Sequence, residues 1–309
     1  MKKVQVLLSA YNGEHYIAEQ INSIIHQSYP HISILIRDDG SSDRTMEVIQ
    51  ALVKTYPERI KVIQGRNVGV VASFLELMRD SDPHADYYCF CDQDDVWLEH
   101  KVQSALDRME ASIYNGSPAM VFTSVYLTDS ELNRKSKWPK PPERGPSYFN
   151  ALYENIAIGA TITLNKSARD LFIRSKNPDS SCVLMHDWWF YLLVSAFGTV
   201  IYDHHPSMLY RQHDHNVVGG SDTLLGKLKG KWGSFRRHFG KALLQRQAQE
   251  FYRIYGSRLS DDQREQLELF IAPRRRMRDR INYIRHSKLH RQSSLENLLF
   301  KLFILIGFV

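Results

Sequence analysis

The first 115 residues alternate short apolar runs with stretches whose apolar residues recur at helical spacing. Unbroken apolar runs, typical of strands buried on both faces, predict strands at Val4–Ser9, Ile32–Ile36, Ile60–Ile63 and Tyr87–Cys91. The stretches between and after them predict helices at Glu14–Gln27, Arg44–Thr55, Val70–Met78 and Glu99–Ala111. Strands that alternate with helices imply right-handed crossovers, so we expect an α/β fold with a mainly parallel sheet.

The pattern is less regular after residue 116. Further strands are predicted at Met120–Phe122, Ile156–Leu164, Thr199–Tyr202 and Ser207–Tyr210, with helices at Lys166–Ser175 and at Phe190–Phe197, the latter opened by His186–Trp189. Lys135–Pro146 contains four prolines and several charges and is interpreted as a mobile loop. Beyond Ser221 the pattern is helical and basic, without a strand signal.

Polar clusters follow four of the predicted strands at the point where each strand ends. They are Ser9-Ala10-Tyr11, Asp38-Asp39-Gly40-Ser41, Asn67-Val68-Gly69 and Asp92-Gln93-Asp94-Asp95. The carboxyl ends of parallel strands meet at one edge of a sheet, which is where such sheets bind ligands. The last cluster alone is also compatible with a solvated acidic turn. Its repelling carboxylates suit Mg²⁺ or Mn²⁺, which often bridges carboxylates to substrate phosphates.

Composition and motifs exclude several classes of protein. The chain has 309 residues, of which 43% are hydrophobic and 24% charged, as in ordinary globular proteins. No Gly-x-Gly-x-x-Gly follows the first strand and no phosphate loop occurs, which argues against dinucleotide oxidoreductases and P-loop hydrolases. Three cysteines form neither a disulfide framework nor a zinc motif, so we expect a cytoplasmic protein. Without a signal-peptide pattern or a run of about 18 apolar residues, no membrane span is expected.

The charge is distributed unevenly along the chain. The net charge is +6, but residues 224–309 carry 19 Lys and Arg against 7 Asp and Glu. In the same region an apolar stripe recurs at helical spacing, formed by Leu295, Leu298, Leu299, Leu302, Phe303 and Ile306. This combination suits the surface of an anionic membrane. A packing helix or a homodimer through the C-terminal helices is the alternative, and nucleic acid binding is not expected.

Five motifs, in this order, resemble glycosyltransferase family 2. They are Ala10-Tyr11-Asn12-Gly13, Arg37-Asp38-Asp39-Gly40-Ser41, Asn67-Val68-Gly69, Asp92-Gln93-Asp94-Asp95 and His186-Asp187-Trp188-Trp189. The resemblance, which covers residues 3–218, implies the GT-A fold, a nucleotide-sugar donor, a Mn²⁺ or Mg²⁺ cofactor and inversion of the anomeric centre. It implies a GT-A domain at 1–221, with a nucleotide-sugar-binding half at 1–115 and an acceptor-binding half at 116–221. A helical, basic C-terminal region at 222–309 follows.

Three stretches resemble a narrower group within the family. Asp92–Trp97, His186–Trp189 and Tyr210–His213 are similar to bacterial rhamnosyltransferases of cell-wall and O-antigen assembly, in particular the streptococcal rhamnan-building α-1,3-rhamnosyltransferases. This implies dTDP-β-L-rhamnose as donor and a lipid-linked saccharide acceptor at the cytoplasmic face of the membrane. A UDP-hexose donor and a catalytically degenerate scaffold remain alternatives. A nucleotidyltransferase is disfavoured because Ala10–Gly13 lacks a glycine-rich loop with Lys or Arg.

The resemblance also implies roles for individual residues. Nucleotide contacts are expected from Ala10, Tyr11, Asp39, Asn67, Asp92, Asp94 and Arg211, metal contacts from Asp94, Asp95 and His213, and acceptor contacts from Trp188, Trp189 and Gly159. Asp39 would accept the pyrimidine N3–H, although a carboxylate there could instead stabilise a helix N-terminus. Which of Asp94 and Asp95 binds the metal directly stays open, as does a packing role for the tryptophans.

Asp187 is the expected catalytic base. Inversion by single displacement needs one carboxylate to deprotonate the acceptor hydroxyl while the diphosphate leaves on the opposite face. Many family members carry Glu-Asp at this motif, whereas this chain has His186-Asp187, so a neighbouring carboxylate is lost. The alternative is that Asp187 caps the following helix. His213 lies 26 positions further on, at a spacing where some members place a metal-binding histidine.

Overall fold

The computed structural model describes residues 1–112, 116–212 and 243–307, which divide into two units. Unit 1 comprises Met1–Pro141, Ala157–Arg174 and Met185–Gln212. Unit 2 comprises Pro142–Ile156, Ser175–Leu184 and the described part of His213–Val309. The predicted boundary at residue 221 lies outside the described residues and stays a prediction.

A seven-stranded sheet forms the centre of unit 1, with the strand order β10-β6-β9-β4-β1-β2-β3. Its strands are β1 (Val4–Ala10), β2 (Ile32–Asp38), β3 (Ile60–Gln64), β4 (Tyr87–Cys91), β6 (Ala119–Thr123), β9 (Thr163–Asn165) and β10 (Thr199–Asp203). Neighbouring strands run parallel, except that β9 is antiparallel to both β4 and β6. The predicted α/β fold with a mainly parallel sheet is confirmed, and the four polar clusters follow strands β1 to β4.

Helices cover both faces of this sheet. They are α1 (Ile17–Ile25), α2 (Thr45–Thr55), α3 (Val70–Asp80), α4 (Lys101–Ser112), α6 (Lys166–Ile173) and α7 (His186–Phe197). On one face, apolar residues of α1, α2 and α4 share a core with alternate residues of β1, β2 and β4. On the other face, Phe90 of β4 packs edge-on against Phe74 of α3 and Phe190 of α7, with ring centroids 5.4 and 5.1 Å apart. Two buried faces explain why the strands are uniformly apolar.

A second, four-stranded sheet corrects one of the sequence predictions. Its order is β5 (Val96–Trp97), β11 (Met208–Arg211), β7 (Val125–Thr128) and β8 (Arg134–Trp138). The predicted mobile loop is therefore wrong where β8 runs, because β8 pairs antiparallel with β7. All of its residues are exposed, so no apolar alternation marks it as a strand.

The predicted strand at Ile156–Leu164 is also mostly wrong. Only Thr163–Asn165 is a strand, and Gly159–Thr161 is a 3-10 turn. The Thr161 N–H and the Thr161 hydroxyl both donate to the Ile158 carbonyl, at 2.9 and 2.8 Å. This local pairing withdraws the segment from the sheet, although its residues favour strands.

Unit 2 is helical in its described residues, as predicted for the C-terminal region. Its helices are α5 (Tyr148–Ala151), α8 (Leu243–Tyr255), α9 (Asp261–Ile271), α10 (Met277–His286) and α11 (Ser294–Ile306). Ser260 begins α9 with a capping box shared with Gln263. Tyr153 packs against Phe270 and Phe300, with centroids 5.2 and 4.3 Å apart. Within the described ranges, no helix is both long and apolar enough to cross a membrane.

Candidate active site

Hydrogen bonds from side chains join the loops that follow β1 and β2. The Asn12 N–H donates to Ser41 Oγ at 2.9 Å, and Asn12 Oδ1 accepts from the Ser42 N–H at 2.8 Å. Asn12 has a φ of 50°, a left-handed conformation that asparagine tolerates better than most residues. The loop carries the predicted base-contacting residues, of which Ala10 is buried and Tyr11 is 46% exposed. An exposed aromatic ring at this edge is available to a ligand.

The acidic stretch after β4 is bound to the same loop through Gln93. The Tyr11 N–H donates to Gln93 Oε1 at 2.8 Å, and Gln93 Nε2 donates to the Tyr11 carbonyl at 2.9 Å. Gly13 is needed beside this pair, since a Cβ there would collide with the Gln93 amide. Gln93 thus connects the predicted base-binding loop to the predicted diphosphate and metal site.

Asp39 binds the turn between β3 and α3. Its carboxylate accepts from the Val68 N–H at 3.0 Å and the Gly69 N–H at 2.9 Å, and it forms an ion pair with Arg37. Arg37 also donates to Glu76 at 2.8 Å. The carboxylate lies at the N-terminus of α3, as the helix-stabilising alternative requires. The predicted role of Asp39 in accepting the pyrimidine N3–H stays a prediction. It would need a further lone pair of the same carboxylate.

The neighbouring residues explain why Asp39 and the exposed Asn67 lie together. Gly40 has a φ of +82°, and a Cβ on it would stand 2.9 Å from the Asn67 main-chain nitrogen. A side chain at this position would therefore be strained and would also press the two loops apart. The structure brings the polar clusters after β1, β2, β3 and β4 together through these loop contacts.

The three carboxylates of the acidic stretch differ in exposure. Asp92 and Asp94 are partly buried, whereas Asp95 is 2% exposed. Burial, together with the charges of Asp94 and Asp187, raises the pKa of Asp92 to about 7. Burial, together with the charges of Asp94 and Asp92, raises the pKa of Asp95 well above its ordinary range. Negative charge is therefore concentrated here beyond what the surrounding groups neutralise.

A buried cation lies behind the acidic stretch. Lys101 is 2% exposed, donates to the Ala160 carbonyl at 3.1 Å and stands 4.5 Å above the Trp97 ring. Burial lowers the Lys101 pKa to about 8, although the nearby Cys89, Cys91 and Asp95 act in the opposite direction. Lys101 therefore offsets part of the charge of Asp95 from inside the fold.

Arg211 closes the other side of the acidic stretch. The main-chain N–H of Arg211 donates to Asp95 Oδ1 at 3.0 Å, and its side-chain Nε donates to the Asp94 main-chain carbonyl at 2.9 Å. The guanidinium also binds Glu19 and the Ser130 carbonyl. Arg211 is 4% exposed, so these contacts fix the shape of the stretch. Its predicted contact with a diphosphate stays a prediction, and it would require some of these bonds to be exchanged.

The predicted base lies in the first turn of α7. Asp187 is 8% exposed, and its Oδ1 accepts from the N–H of the next residue, Trp188, at 2.6 Å. The N-cap of α7 is Met185, so the alternative that Asp187 caps this helix is wrong. Its charge contributes to the raised pKa of Asp92, so the two carboxylates belong to one electrostatic site. Gly159 lies against this turn, since a Cβ on it would stand 3.4 Å from Asp187 Cβ. The structure thus brings Asp187 together with Gly159 and with the acidic stretch.

His186, next to the base, is buried among aromatic rings. It stacks on Phe74 with centroids 3.8 Å apart and meets Phe90 edge-on. Among the described residues neither of its ring nitrogens has a hydrogen-bond partner. Burial lowers its pKa to about 3, so it is neutral at ordinary pH. The imidazole therefore leaves Asp187 without a charged neighbour at this motif.

The two tryptophans after the base differ little in burial. Trp189 is fully buried and Trp188 is 9% exposed. A ring without exposed surface cannot stack on a saccharide unless the helix moves, so packing is the role that the structure shows for Trp189. Trp188 has a small exposed area, and its predicted acceptor contact stays a prediction.

The donor set of the acidic stretch fits a hard divalent cation. Asp92 and Asp94 offer partly exposed carboxylate oxygens, and Asp95 Oδ2 is buried without a partner among the described residues. Mg²⁺ and Mn²⁺ favour such oxygens and commonly complete their shell with water and substrate phosphates. The predicted histidine ligand, His213, lies outside the described residues and stays a prediction.

A second group of potential metal ligands lies at the end of β10. Ligand atoms of Asp203, His204 and His205 lie within 4.8 Å of one another. Arg108, however, donates to Asp203 Oδ2 at 3.0 Å and stands 3.5 Å from His205 Nδ1. A cation here would meet the Arg108 charge, so this group is the poorer metal site.

Sequence reasoning did not find two residues that organise the site. Gln93 stands between acidic residues and has no sequence signal of its own, because its two bonds to Tyr11 depend on β1 and β4 being neighbours in the sheet. Lys101 looks like one of several charges on a helix, yet it points inward. Its only signal is its place near the start of a helix that follows an acidic stretch.

Residues 5–171, which contain the motifs after β1 to β4, decide the family. A family model described as glycosyl transferase family 2 matches residues 5–171, which is more than half of the chain. The chain belongs to glycosyltransferase family 2. The match covers four of the five motifs on which the resemblance rested, those after β1 to β4, and family membership makes the protein a glycosyltransferase.

Related proteins agree with this assignment. A protein named dTDP-rhamnosyl transferase RfbG, from Shigella flexneri, is 31% identical over 239 residues, which cover 73% of this chain and 80% of that protein. An uncharacterized glycosyltransferase of Nostoc is 34% identical over 172 residues, half of this chain and 53% of the relative.

Solved structures confirm the GT-A fold of this family 2 member. S. aureus TarS 1-349 in complex with UDP superposes with a TM-score of 0.57 at 15% identity, covering 99% of this chain and 81% of that one. The mannosyltransferase PcManGT from Pyrobaculum calidifontis, in complex with GDP-Man and Mn²⁺, gives 0.53 at 14% identity, covering 98% and 87%. At these identities the likeness concerns the fold.

Proposed function

We propose that this family 2 enzyme transfers L-rhamnose from dTDP-β-L-rhamnose to a saccharide hydroxyl, with inversion and in α-1,3 linkage. The observation that carries the proposed reaction is the placement of Asp187 in one electrostatic site with Asp92, which follows β4. A base and a leaving-group site are both required for single displacement. The acceptor is a lipid-linked precursor of a cell-wall or surface polysaccharide at the cytoplasmic side of the membrane.

The rhamnose donor is supported by the relative from Shigella flexneri, whose name states a dTDP-rhamnosyl activity. Because the identity is 31% over most of both chains, we extend the donor class of that relative to this chain. Its name says nothing about the acceptor. A UDP-hexose donor is the alternative. TarS complexes contain UDP and UDP-GlcNAc, but their 13–15% identity limits them to evidence of fold.

Asp187 is positioned for proton transfer by its own helix. The Trp188 N–H binds Oδ1 and so fixes the orientation of the Asp187 carboxylate that we propose takes the proton of the acceptor hydroxyl. Gly159 lies against Asp187, and because it has no side chain it leaves the space beside the Asp187 Cβ open. Because His186 is neutral, it adds no positive charge that would weaken the base.

A divalent cation, when bound, would stabilise the negative charge of the departing diphosphate. We propose that Asp94 is its direct protein ligand, with Asp92 beside it. Asp95 is buried, and one of its oxygens holds the Arg211 N–H, so it supports the stretch from inside. The loop pair between Gln93 and Tyr11 fixes this stretch relative to the loop expected to hold the nucleoside.

A donor panel tests the proposal. Purified protein with Mn²⁺ is incubated with dTDP-rhamnose, UDP-glucose, UDP-galactose or UDP-GlcNAc, and both thermal stabilisation and nucleotide release with a saccharide acceptor are measured. We expect dTDP-rhamnose to stabilise the protein most and to be consumed only when Asp187 is intact. Stabilisation by a UDP-sugar alone would remove the rhamnose assignment. If the parent enzyme bound a nucleotide-sugar but transferred its sugar to none of the acceptors, a nucleotide-sugar-binding scaffold would be favoured.

A further inference from the structure

Helix α11 of unit 2 has apolar residues on two sides. Phe300 and Ile304 are 1% exposed each, and Phe300 packs on Tyr153. These residues hold the helix on its unit. The other side presents five large apolar side chains that are 43–68% exposed, namely Leu295, Leu298, Leu299, Leu302 and Ile306. We call these five residues the leucine face.

The spacing of the leucine face makes it one continuous strip. Its members recur at intervals of three and four residues, so they lie on one side of the helix. Large exposed apolar patches on soluble units mark interaction surfaces, because leaving such side chains in water is unfavourable. The helix has 13 residues, about 20 Å of length, and is too short to span a bilayer. The strip therefore suits a partner that lies along the helix.

Helix α10 lies beside α11 and also carries exposed apolar residues. Arg280 donates to the Leu305 carbonyl at 3.1 Å and to the Arg274 carbonyl at 3.2 Å, which joins the C-terminal end of α11 to α10. The exposed residues of α10 include Met277, at 55%, and Ile281, at 39%. The two helices thus expose apolar side chains from adjoining positions of one unit.

The segment that contains these two helices carries a strong excess of positive charge. From Arg274 to Lys301 there are nine Lys and Arg residues against two acidic residues, Asp279 and Glu296. Arg291 is paired with Glu154 and Glu296. Four other arginines are exposed and form no ion pair within the described residues, namely Arg275, Arg276, Arg278 and Arg285. A partner of opposite charge would complement them.

We infer that the leucine face and the four exposed arginines in and just before α10 dock unit 2 onto an anionic lipid surface. Amphipathic helices of this kind lie in the membrane interface, with apolar side chains below the headgroups and basic side chains against lipid phosphates. A second copy of the chain is a poorer occupant. A two-fold interface through this surface would bring two sets of unpaired arginines together, and like charges across an interface are unfavourable.

This surface does not depend on the proposed donor or on transfer. Its residues lie in unit 2, whereas the proposed base and the acidic stretch belong to unit 1. Lipid binding and sugar transfer can therefore fail independently. Docking on lipid would also favour lipid-linked saccharides over soluble ones as acceptors, because an enzyme held at a lipid surface meets them at high local concentration.

Vesicle sedimentation of the full chain tests the inference. The probes are vesicles of phosphatidylcholine alone and vesicles of phosphatidylcholine with phosphatidylglycerol. One double variant, Leu298→Gln with Leu302→Gln, removes part of the leucine face. Another, Arg278→Gln with Arg285→Gln, removes charge. The matched control, Lys54→Gln with Lys61→Gln, removes two exposed charges from unit 1, and thermal unfolding shows that each variant is folded.

We expect the parent chain to bind the anionic vesicles and to release them as salt is raised. Removing two arginines should weaken binding about 30-fold, from the usual contribution of a basic residue at an anionic surface. The leucine variant should weaken it about tenfold or more, since two apolar side chains leave the interface. The control and Asp187→Asn should bind like the parent. Equal binding of all folded variants, or a leucine-dependent dimer without vesicle binding, would overturn the inference.

Discussion

The side-chain amide of Gln93 forms two hydrogen bonds with the main chain of Tyr11, at 2.8 and 2.9 Å, in the manner of a neighbouring strand. Through this pair the acidic stretch after β4 is held against the loop after β1. The two loops are expected to bind opposite ends of the nucleotide diphosphate. A fixed distance between them lowers the cost of ordering the site when the donor binds.

Replacing Gln93 should therefore weaken donor binding. Gln93→Ala leaves the Tyr11 N–H and carbonyl to water and frees the loop, so we expect the KM for the donor to rise about tenfold, the scale of one or two lost hydrogen bonds. The kcat should change less, because Asp187 is untouched. Steady-state kinetics separate the two values. Gln103→Ala, which removes an exposed glutamine of α4, is the control, and an equal KM in both variants would argue against a positioning role.

Stabilisation by Mn²⁺ should increase with pH. The pKa of Asp92 is about 7 in the folded protein against an ordinary 3.8, so the folded state keeps a proton that the unfolded state has lost. The metal-free fold accordingly loses stability as pH rises towards about 7. A cation must displace that proton, which becomes easier as pH rises. Thermal shifts with Mn²⁺ at about pH 6 and about pH 8 measure this difference.

Variants of the acidic stretch sharpen that measurement. Asp92→Asn should flatten the pH dependence, and Asp94→Asn should remove most of the Mn²⁺ shift if Asp94 is the direct ligand. Asp107→Asn, an exposed aspartate of α4, should behave like the parent. A Mn²⁺ shift of the same size at both pH values in the parent would contradict the assignment, as would a full shift in Asp94→Asn.

His186 should make the protein sensitive to acid. Its pKa is lowered to about 3 by burial, against about 6.5 when unfolded, so between these values the unfolded chain binds a proton that the folded chain refuses. Stability therefore falls as pH is lowered through this window, by about 2 kcal/mol at pH 5 for this residue alone. His186→Gln, which does not titrate, should lose less stability than the parent between neutral pH and pH 5. Urea unfolding at the two pH values gives the comparison, and parallel losses in the two proteins would exclude His186 as the cause.

The sequence was most informative where a pattern is repeated along one element. Strands β1, β2 and β4 are buried on both faces and read as unbroken apolar runs, so the parallel sheet could be predicted together with the edge at which its polar clusters meet. The exposed face of α11 could be predicted in the same way, because its leucines recur at helical spacing. In both cases local pattern and tertiary environment agree.

Predictions failed where pairing or burial is set by distant residues. Strand β8 is exposed throughout and forms because it pairs with the edge of β7. The β-prone residues around Gly159 leave the sheet because Thr161 bonds to the Ile158 carbonyl instead. The inward direction of Lys101 and the bonds of Arg211 to the acidic stretch likewise depend on contacts far apart in the chain. No spacing rule reports such contacts, whereas the positions of Asp187 and the acidic stretch followed from motifs.

The central claim is that Asp187 deprotonates the acceptor, and Asp187→Asn tests it most directly. The asparagine Oδ1 can still accept the Trp188 N–H, so the turn that begins α7 should be preserved. We expect the rate of sugar transfer to fall by about 10²–10⁴-fold, the usual contribution of a general base, while the affinity for the donor measured by calorimetry stays unchanged. Asp107→Asn should keep both values. Transfer by Asp187→Asn at the rate of the parent enzyme would show that another group removes the proton.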